Sequence, residues 1–456
     1  MKKSRYCFDA NIDNNYIIIY QLLSFKIMIL TGEDSVIWKK GEIDKINPLK
    51  QKEMLECGML INEENDDKFI LMKALKYFTR RRKDVPSHTI FITNECNMCC
   101  PYCFEKNIEA SNLTMSEEML ESVFYAIKSS NGDKTLKKIL IFGGEPLLRK
   151  NSHLVIHLLK LLRKLKYKYV EIVTNGIEIP FFIDMISEFQ DVIGSMRLTL
   201  NGYKEVHNHI RDTNDINNSY DIIISSIKTI LNVTNIDINL NVLIDSGNIN
   251  SIQNMLVDLK ENEILDNDRV HIGFGRTQFP TTPNEVNYSD EVFLEDYYST
   301  LINLYSRNEL VDIEMLQGGE IPILCELIHH ILSNNKQALK PDLTSCRATY
   351  PGRYCYYPDG YIYPCTEVAG MKKFAVGSFF SAEEKYDNWK EWENYKFPQK
   401  CLKCKYIAFC SGGCPVSNLC SNGKIDEVYC YNVGKTIENT LIGLFREGYI
   451  DEATVY

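Results

Sequence analysis

The chain has 456 residues, 45% of them hydrophobic and 25% charged, the proportions of a packed soluble protein with more chain than one ordinary domain needs. Its formal charge of −10 argues against a protein that tracks nucleic-acid phosphates, because such binding draws its affinity from Lys and Arg. Sixteen cysteines, behind an N-terminus that lacks the apolar core of a signal peptide, point to metal or catalysis in a cytoplasmic protein rather than to disulfides.

In chain order, residues 1–86 read as a small α+β unit. Apolar runs at 16–20 and 25–30 suggest a hairpin, and the stretch 16–30, which contains Gln21, Ser24 and Lys26, is too short to span a bilayer. A helix over 48–57 stops at Gly58, MLIN at 59–62 suggests a short strand, and a second helix over 66–82 ends in the basic run RRRK, where cations suit a helix C-terminus. From 87 to 310, short β-branched runs alternate with longer amphipathic stretches, the pattern of βα units around a parallel sheet. Strands are expected at HTIFIT (88–93), KILIF (138–142), VEIVT (170–174), SMRLTL (195–200), IDINLNVLI (236–244) and RVHIGFG (269–275). Helices lie between them, over 116–129 and 152–165 for example, the latter with Leu154, Leu158, Leu161, Leu162 and Leu165 as its apolar positions. Six strands fall short of the eight that close a barrel, so the fold class is α/β with an open, partial (β/α)6 barrel. Ligand-binding residues belong at the carboxyl ends of its strands, where TNEC, GGEP, TNG (174–176) and NGYKEVH (201–207) stand. The stretch 290–332 is mostly helical in character, so 311–345 reads as a helical bridge. It leads to a cysteine-rich region over 346–434, and 435–456 reads as a closing helix. No internal repeat or low-complexity segment is present.

The segment TNECNMCCPYCFE at 93–105 holds four cysteines in eight positions. Cys96, Cys100 and Cys103 fit C-x3-C-x2-C, and no nearby histidine completes a zinc site. Three thiolates suit a cubane iron–sulfur cluster with one iron left open. With Phe104 next in sequence and Gly143, Gly144, Glu145 and Pro146 following the second strand, the chain resembles the radical S-adenosylmethionine (SAM) enzymes across the whole barrel. The resemblance implies that Cys96, Cys100 and Cys103 hold a [4Fe-4S] cluster whose open iron chelates SAM. Reductive cleavage would give a 5′-deoxyadenosyl radical that takes hydrogen from a substrate, with the electron supplied by a donor such as flavodoxin or ferredoxin. It further implies that the glycines permit close backbone approach, that Glu145 accepts from the SAM ammonium, and that Phe104 packs near the adenine. Thr174 and Asn175 lie where the family often contacts SAM, although a polar strand end is equally readable as a satisfied turn. Where relatives carry Arg in the fifth strand for the SAM carboxylate, this chain has Asn239. Cys99 falls out of register and reads as a packed or exposed thiol.

The second cysteine field runs C-x13-G-x4-C from Cys346 to Cys365, then C-x2-C-x5-C-x3-C-x15-C from Cys401 to Cys430. Taken alone, its C-x2-C pair also fits zinc ribbons. The spacing resembles the SPASM extension of radical SAM enzymes that modify peptides and proteins, with a last interval slightly shorter than usual. By that resemblance Cys346, Cys365 and Cys414 hold a first auxiliary [4Fe-4S] cluster with Cys355 as a possible fourth ligand, and Cys401, Cys404, Cys410 and Cys430 hold a second. Without Cys355, the first cluster would keep an open iron for a substrate thiolate. Cys7, Cys57, Cys325 and Cys420 fit no motif and read as packing residues.

The function implied is a maturase that installs a cross-link, with a cysteine thioether favoured over carbon–carbon or ether links, in a ribosomally synthesised precursor peptide. An anaerobic sulfatase maturase that makes formylglycine is the alternative. Those enzymes carry Asp after the G-x4-C cysteine, where this chain has Thr366 and then Glu367. A non-catalytic electron carrier or zinc scaffold has no use for GGEP. Residues 1–86 loosely resemble a winged-helix leader-recognition domain that binds a leader by strand addition, the alternative being a structural cap.

Overall fold

The computed structural model describes residues 1–62, 67–69, 71–72, 87–108, 112–131, 138–166, 169–211, 218–244, 247–276, 347–349, 352–381, 387–393, 395, 398–410, 412–428, 430 and 433–451. The first strands are β1 (Lys2–Lys3), β2 (Cys7–Asn11), β3 (Tyr16–Gln21), β4 (Lys26–Thr31) and β5 (Leu60–Ile61). β3 and β4 are the expected hairpin, in register from Tyr16↔Thr31 to Gln21↔Lys26, and β2 pairs antiparallel on the other side of β3. Period-2 alternation splits this sheet between two cores. Ile17, Ile19, Met28 and Leu30 pack with Trp38 and Met54 from helices Gly32–Lys40 and Pro48–Glu56. Ile18, Tyr20, Ile27 and Ile29 belong instead to the main core of the protein. The second of these helices starts where its sequence says it should. Asn47 accepts the Leu49 N–H at its N-cap, Pro48 takes the first helical position, and Gly58 follows its end at φ +74°. The helix expected over 66–82 lies largely outside the described residues.

Six parallel strands follow, β6 (Ser87–Phe91), β7 (Lys138–Phe142), β8 (Val170–Thr174), β9 (Ile193–Thr199), β10 (Asp237–Ile244) and β11 (Val270–Arg276), paired in sequential order. This is the partial (β/α)6 barrel, and the α/β fold class stands. Helices Glu117–Asn131, Ser152–Lys164, Ile179–Glu188, Ser219–Val233 and Ile252–Glu261 connect the strands. In β10 buried and half-buried residues alternate without a break. Ile238, Leu240, Val242 and Ile244 join the main core with helix residues such as Leu154, Leu158 and Leu162, which leaves Asn239 and Asn241 on the opposite, lumenal face.

The cysteine-rich region is joined to this sheet. Its strand β12 (Arg353–Tyr356) pairs parallel with β6, in register from Arg353↔Ser87 to Tyr356↔Ile90. β13 (Tyr361–Tyr363) and β14 (Gly377–Ser378) continue antiparallel, so the sheet among the described residues has nine strands. The junction is aromatic. His88 lies between Tyr354 and Tyr356, with ring centroids 5.3 and 5.8 Å away, and its Nδ1 meets the Tyr356 hydroxyl at 2.9 Å. The closing helix, Val433–Arg446, buries Ile437, Leu441 and Leu444 in the main core and sets Phe445 against Tyr16, the rings tilted with centroids 6.1 Å apart. The N-terminal strands also meet the second cysteine field, for Arg5 donates to the Leu402 carbonyl (3.2 Å) and Phe8 packs on Tyr406. The helical stretch and bridge expected within 290–345 lie outside the described residues. No helix among the described residues is long and apolar enough to cross a membrane.

Both partners of the His88–Tyr356 bond are fully buried, so Tyr356→Phe should leave a desolvated imidazole nitrogen without its phenol and destabilise the chain by about 1–3 kcal/mol. A melting temperature equal to that of the native chain would show that the bond adds nothing to the junction.

Candidate active site

The loop after β6 and the turn after β7 are built against each other. Gly144 donates its N–H to the Thr93 carbonyl and Glu145 donates to the Glu95 carbonyl, each at 2.8 Å. A Cβ on Gly143, which has φ +145°, would lie 2.3 Å from the Thr93 oxygen, and one on Gly144 would lie 2.4 Å from the Glu95 oxygen. Only glycine fits at either position. The turn thereby delivers Glu145, 1% exposed, beneath the cysteine loop.

Glu145 is fixed by three donors. Its Oε1 accepts from the Leu147 N–H (2.8 Å) and the Thr174 hydroxyl (2.7 Å), and its Oε2 accepts from the Asn175 N–H (2.6 Å). Burial pushes its pKa up to about 7, against the pull of those same hydrogen bonds. A carboxylate offers about four lone-pair sites, so one acceptor direction remains for a further donor. Thr174 and Asn175 therefore work on Glu145. Asn175 also reaches the cysteine loop, donating to Asn97 Oδ1 at 2.6 Å, with its Nδ2 3.9 Å from the Cys96 sulfur. Pro146 is buried behind the turn.

Cys96 and Cys99 are exposed, Cys103 is half-buried and Cys100 is buried. The Cys96 thiol is pushed up to about 12, by desolvation first and then by the negative charge of Glu145, Cys100 and Cys103. Thiolates gathered here repel one another, and a cation beside them offsets that repulsion. Part of that charge is built in. Arg211, just past helix Lys204–Ile210 and 8% exposed, donates to the Tyr102 hydroxyl (2.8 Å) and to Met98 Sδ (3.5 Å). Burial works against its charge, yet Tyr102, Cys100 and Cys96 hold its pKa above the ordinary guanidinium value. The Tyr102 oxygen also accepts from the Asn201 side chain. Asn201 is in turn held by His207, whose Nδ1 accepts the Asn201 N–H at 3.1 Å and whose ring burial keeps neutral, with a pKa of about 3. Arg211 Nε finds no partner among the described residues.

Asn201 and His207 lie in NGYKEVH, one of the strand ends expected to carry ligand-binding residues, whereas the sequence reading assigns nothing to Tyr102 or Arg211. The legible signal was His207 and Arg211 four residues apart in the segment after the fourth barrel strand, a spacing that puts both on one helix face. Asn239 is not beside the cysteine loop. It donates to Glu171 (3.2 Å) in mid-sheet, and the buried cation near the thiols is Arg211. Phe104 stacks on Phe142, with centroids 6.3 Å apart, and packs on the cluster of Phe91, Cys355, Tyr357 and Tyr363. Nearby, Glu105 and Glu367 each keep some surface open yet sit deep among protein atoms. Burial pushes Glu105 up to about 8, with the charge of Glu367 adding to it, and pushes Glu367 up to about 7 against the pull of Arg353.

In the second field, Cys401 lies within electrostatic reach of Cys404, Cys410 and Cys430. Burial first, and then the charge of the other three, pushes Cys401 up to about 12. Cys365 is buried with Val368, Trp389 and Val416, and both Cys414 and Cys420 pack on that cluster. Cys355 packs elsewhere, with Phe91 and Tyr357, and its thiol bonds Thr89. Cys346 lies outside the described residues, as does Cys325. Among the described residues no three His, Cys, Asp or Glu side chains converge closely enough for a single metal ion. A zinc site needs four ligands within about 2.3 Å of one centre. Beside the cysteine loop, a spare acceptor on Glu145 and the Nε of Arg211, which has no partner among the described residues, fit the two charged ends of a zwitterionic ligand.

The family model of the radical SAM superfamily matches residues 90–255. A cysteine-type anaerobic sulfatase-maturating enzyme from Clostridium perfringens (strain 13) is 24% identical over 340 residues, 70% of this chain and 85% of that protein. The radical SAM cyclopropyl synthase TigE of Paramaledivibacter caminithermalis is 24% identical over 440 residues, 89% of this chain and 84% of that one. A probable GTP 3′,8-cyclase from Methanococcus aeolicus is 36% identical over 97 residues, but these span 21% of this chain and 31% of that protein. Among solved structures, anSMEcpe with bound AdoMet aligns with TM-score 0.60 at 19% identity, covering 79% of this chain and 97% of that one. Streptococcus suis SuiB bound to its precursor peptide SuiA aligns with TM-score 0.55 at 17% identity, covering 95% of this chain and 99% of that one.

Replacing Cys96, Cys100 and Cys103 together by Ala should lower the iron content of the anaerobically reconstituted protein by about four per chain, as read by colorimetric iron assay. Glu145→Ala should weaken SAM binding at least tenfold in equilibrium dialysis while iron stays at the native level. Loss of iron from that variant would make Glu145 a structural residue instead.

Proposed function

Proceeding from a chain that carries a radical SAM domain on residues 90–255, we propose a radical SAM enzyme with SPASM-type auxiliary clusters that installs a cysteine thioether in a ribosomally synthesised precursor peptide. The observation that carries the reading is Glu145, set by its donors and by the glycine turn directly against the cysteine loop. Cys96, Cys100 and Cys103 would hold the first cluster. Cys401, Cys404, Cys410 and Cys430 would hold one auxiliary cluster, and Cys346, Cys365 and Cys414 the other. When bound, SAM and the first cluster supply a one-electron cleavage that yields a 5′-deoxyadenosyl radical. Glu145 would take the SAM ammonium on its remaining acceptor site and Arg211 would face the carboxylate. Flavodoxin or ferredoxin would supply the electron.

A peptide substrate is supported by the likeness to SuiB, solved with its precursor peptide. In the N-terminal sheet, β4 is the outermost strand on the side away from β2, and it offers an edge for a leader peptide to extend. A thioether exchanges one C–H and one S–H for a C–S bond. The carbon would give up a hydrogen atom to the 5′-deoxyadenosyl radical, the sulfur would give up a proton, and one electron would pass to an auxiliary cluster, a net loss of two hydrogens per link. Maturation of a sulfatase is the second reading, favoured by the likeness to the Clostridium perfringens enzyme over 85% of its length. Thr366, in place of the Asp expected there, weighs against it.

The test is mass spectrometry, after iodoacetamide treatment, of any short cysteine-bearing peptide found encoded beside this gene, incubated with enzyme, SAM and reductant. The product should be two daltons lighter per link, with one cysteine per link refusing alkylation. A two-dalton loss with every cysteine alkylated would exclude the thioether, and formylglycine in a neighbouring sulfatase would establish the second reading.

A further inference from the structure

A closed barrel fills its lumen with layers of bulky branched side chains. This lumen is polar. Ile172, Met196, Leu198, Ile238, Leu240, Val270 and Ile272 are buried in the main core, and the residues alternating with them form the inner face. There Arg197 of β9 lies in register with Asn239 of β10, and Asn239 with His271 of β11. Glu171 of β8, 2% exposed, accepts from Arg197 at 2.8 Å and from Asn239 Nδ2 at 3.2 Å. The next row toward the carboxyl ends of the strands holds Thr199, Asn241 and Gly273, in register. Gly273 has no side chain to close the space, and the Arg197 side chain keeps 37% of its surface exposed.

Among the described residues the guanidinium of Arg197 meets Glu171 alone. A guanidinium presents five N–H donors in a rigid fork; Glu171 Oε1 engages one Nη of it, which leaves donors for a second carboxylate. An arginine pinned in this way has already lost its rotamer freedom and matches a planar carboxylate bidentately. We propose that Arg197, oriented by Glu171 and Asn239, is a carboxylate clamp that reads an acidic group of the substrate inside the barrel. The clamp rests on the peptide-modifying reading above. The carboxylate is either an Asp or Glu side chain of the peptide or its C-terminus.

Ligand-observed NMR on the anaerobically reconstituted full chain separates these sources. The probes are N-acetyl-L-glutamic acid α-amide, N-acetyl-L-alanine and the neutral isostere N-acetyl-L-glutamine α-amide. A carboxylate probe should bind at least tenfold more tightly than the isostere, the first probe assigning a side chain and the second a C-terminus. Arg197→Gln should erase the preference. If that variant fails to fold because Glu171 is left buried without its cation, Glu171→Gln/Arg197→Gln, which pairs two amides, replaces it and should show the same loss. Equal binding of all three probes, or a preference that survives in the variant, overturns the clamp. So does a tenfold fall in SAM affinity with the preference intact, which would assign Arg197 to SAM. A native chain that forms no 5′-deoxyadenosine strikes the underlying reading, whereas one that forms it without a carboxylate preference strikes the clamp alone.

Discussion

The turn at 143–146 touches the chain at 93–95 backbone to backbone, at a separation that excludes any Cβ. Everything assigned to the site hangs from that contact. It sets the Glu145 carboxylate under the cysteine loop, and the polar end of β8 then closes on Glu145 through Thr174 and Asn175. Three strand ends are thus locked into one piece before any cofactor arrives. A buried carboxylate held at three points, with one acceptor direction left and no cation bonded to it among the described residues, is prepared for a further donor. The fourth strand end adds the opposite charge, since the segment after β9 brings Arg211 against Tyr102 and the thiols. Two strand ends therefore present, around the cysteine loop, an acceptor suited to an ammonium and a donor suited to a carboxylate.

The second cysteine field is tied to this arrangement through the sheet. β12 lies on the free edge of β6, and the segment that follows packs Cys355, Tyr357 and Tyr363 against Phe91 and Phe104. Phe104 adjoins the last cysteine of the loop. The two cysteine regions therefore share one aromatic cluster, and Glu105 and Glu367 nearby carry raised pKa values. Cys420, which spacing alone set aside, shares a cluster with Cys365 and Cys414, while Cys355 bonds Thr89 in another.

What could be read in advance was local. KILIF and VEIVT are short runs rich in strand-forming residues, and they are the strands Lys138–Phe142 and Val170–Thr174 without adjustment. The helix from Ser152 and the stop at Gly58 followed from leucine spacing and from a left-handed glycine in the same way. The cysteine spacings and GGEP named the chemistry because a cluster fixes ligand type and interval. What could not be read joins residues far apart in the chain. Arg211 and Tyr102 are 109 positions apart, His88 and Tyr356 are 268 apart, and Arg5 and Leu402 are 397 apart. No periodicity carries such pairings. The polar lumen was hidden for a related reason, since Asn239 invites comparison with relatives until the register shows it beside Arg197 and facing Glu171.

The central claim is that one site, made of the cysteine loop, the glycine turn and the Arg211 brace, performs one-electron cleavage of SAM. It is tested most directly by incubating the anaerobically reconstituted chain with SAM and dithionite and quantifying 5′-deoxyadenosine by liquid chromatography with mass detection. The account predicts its formation in the native chain, and its loss in a Gly144→Ala variant, whose added Cβ forces the turn off the loop. Native-level 5′-deoxyadenosine from Gly144→Ala, or none from an iron-loaded native chain, would contradict it.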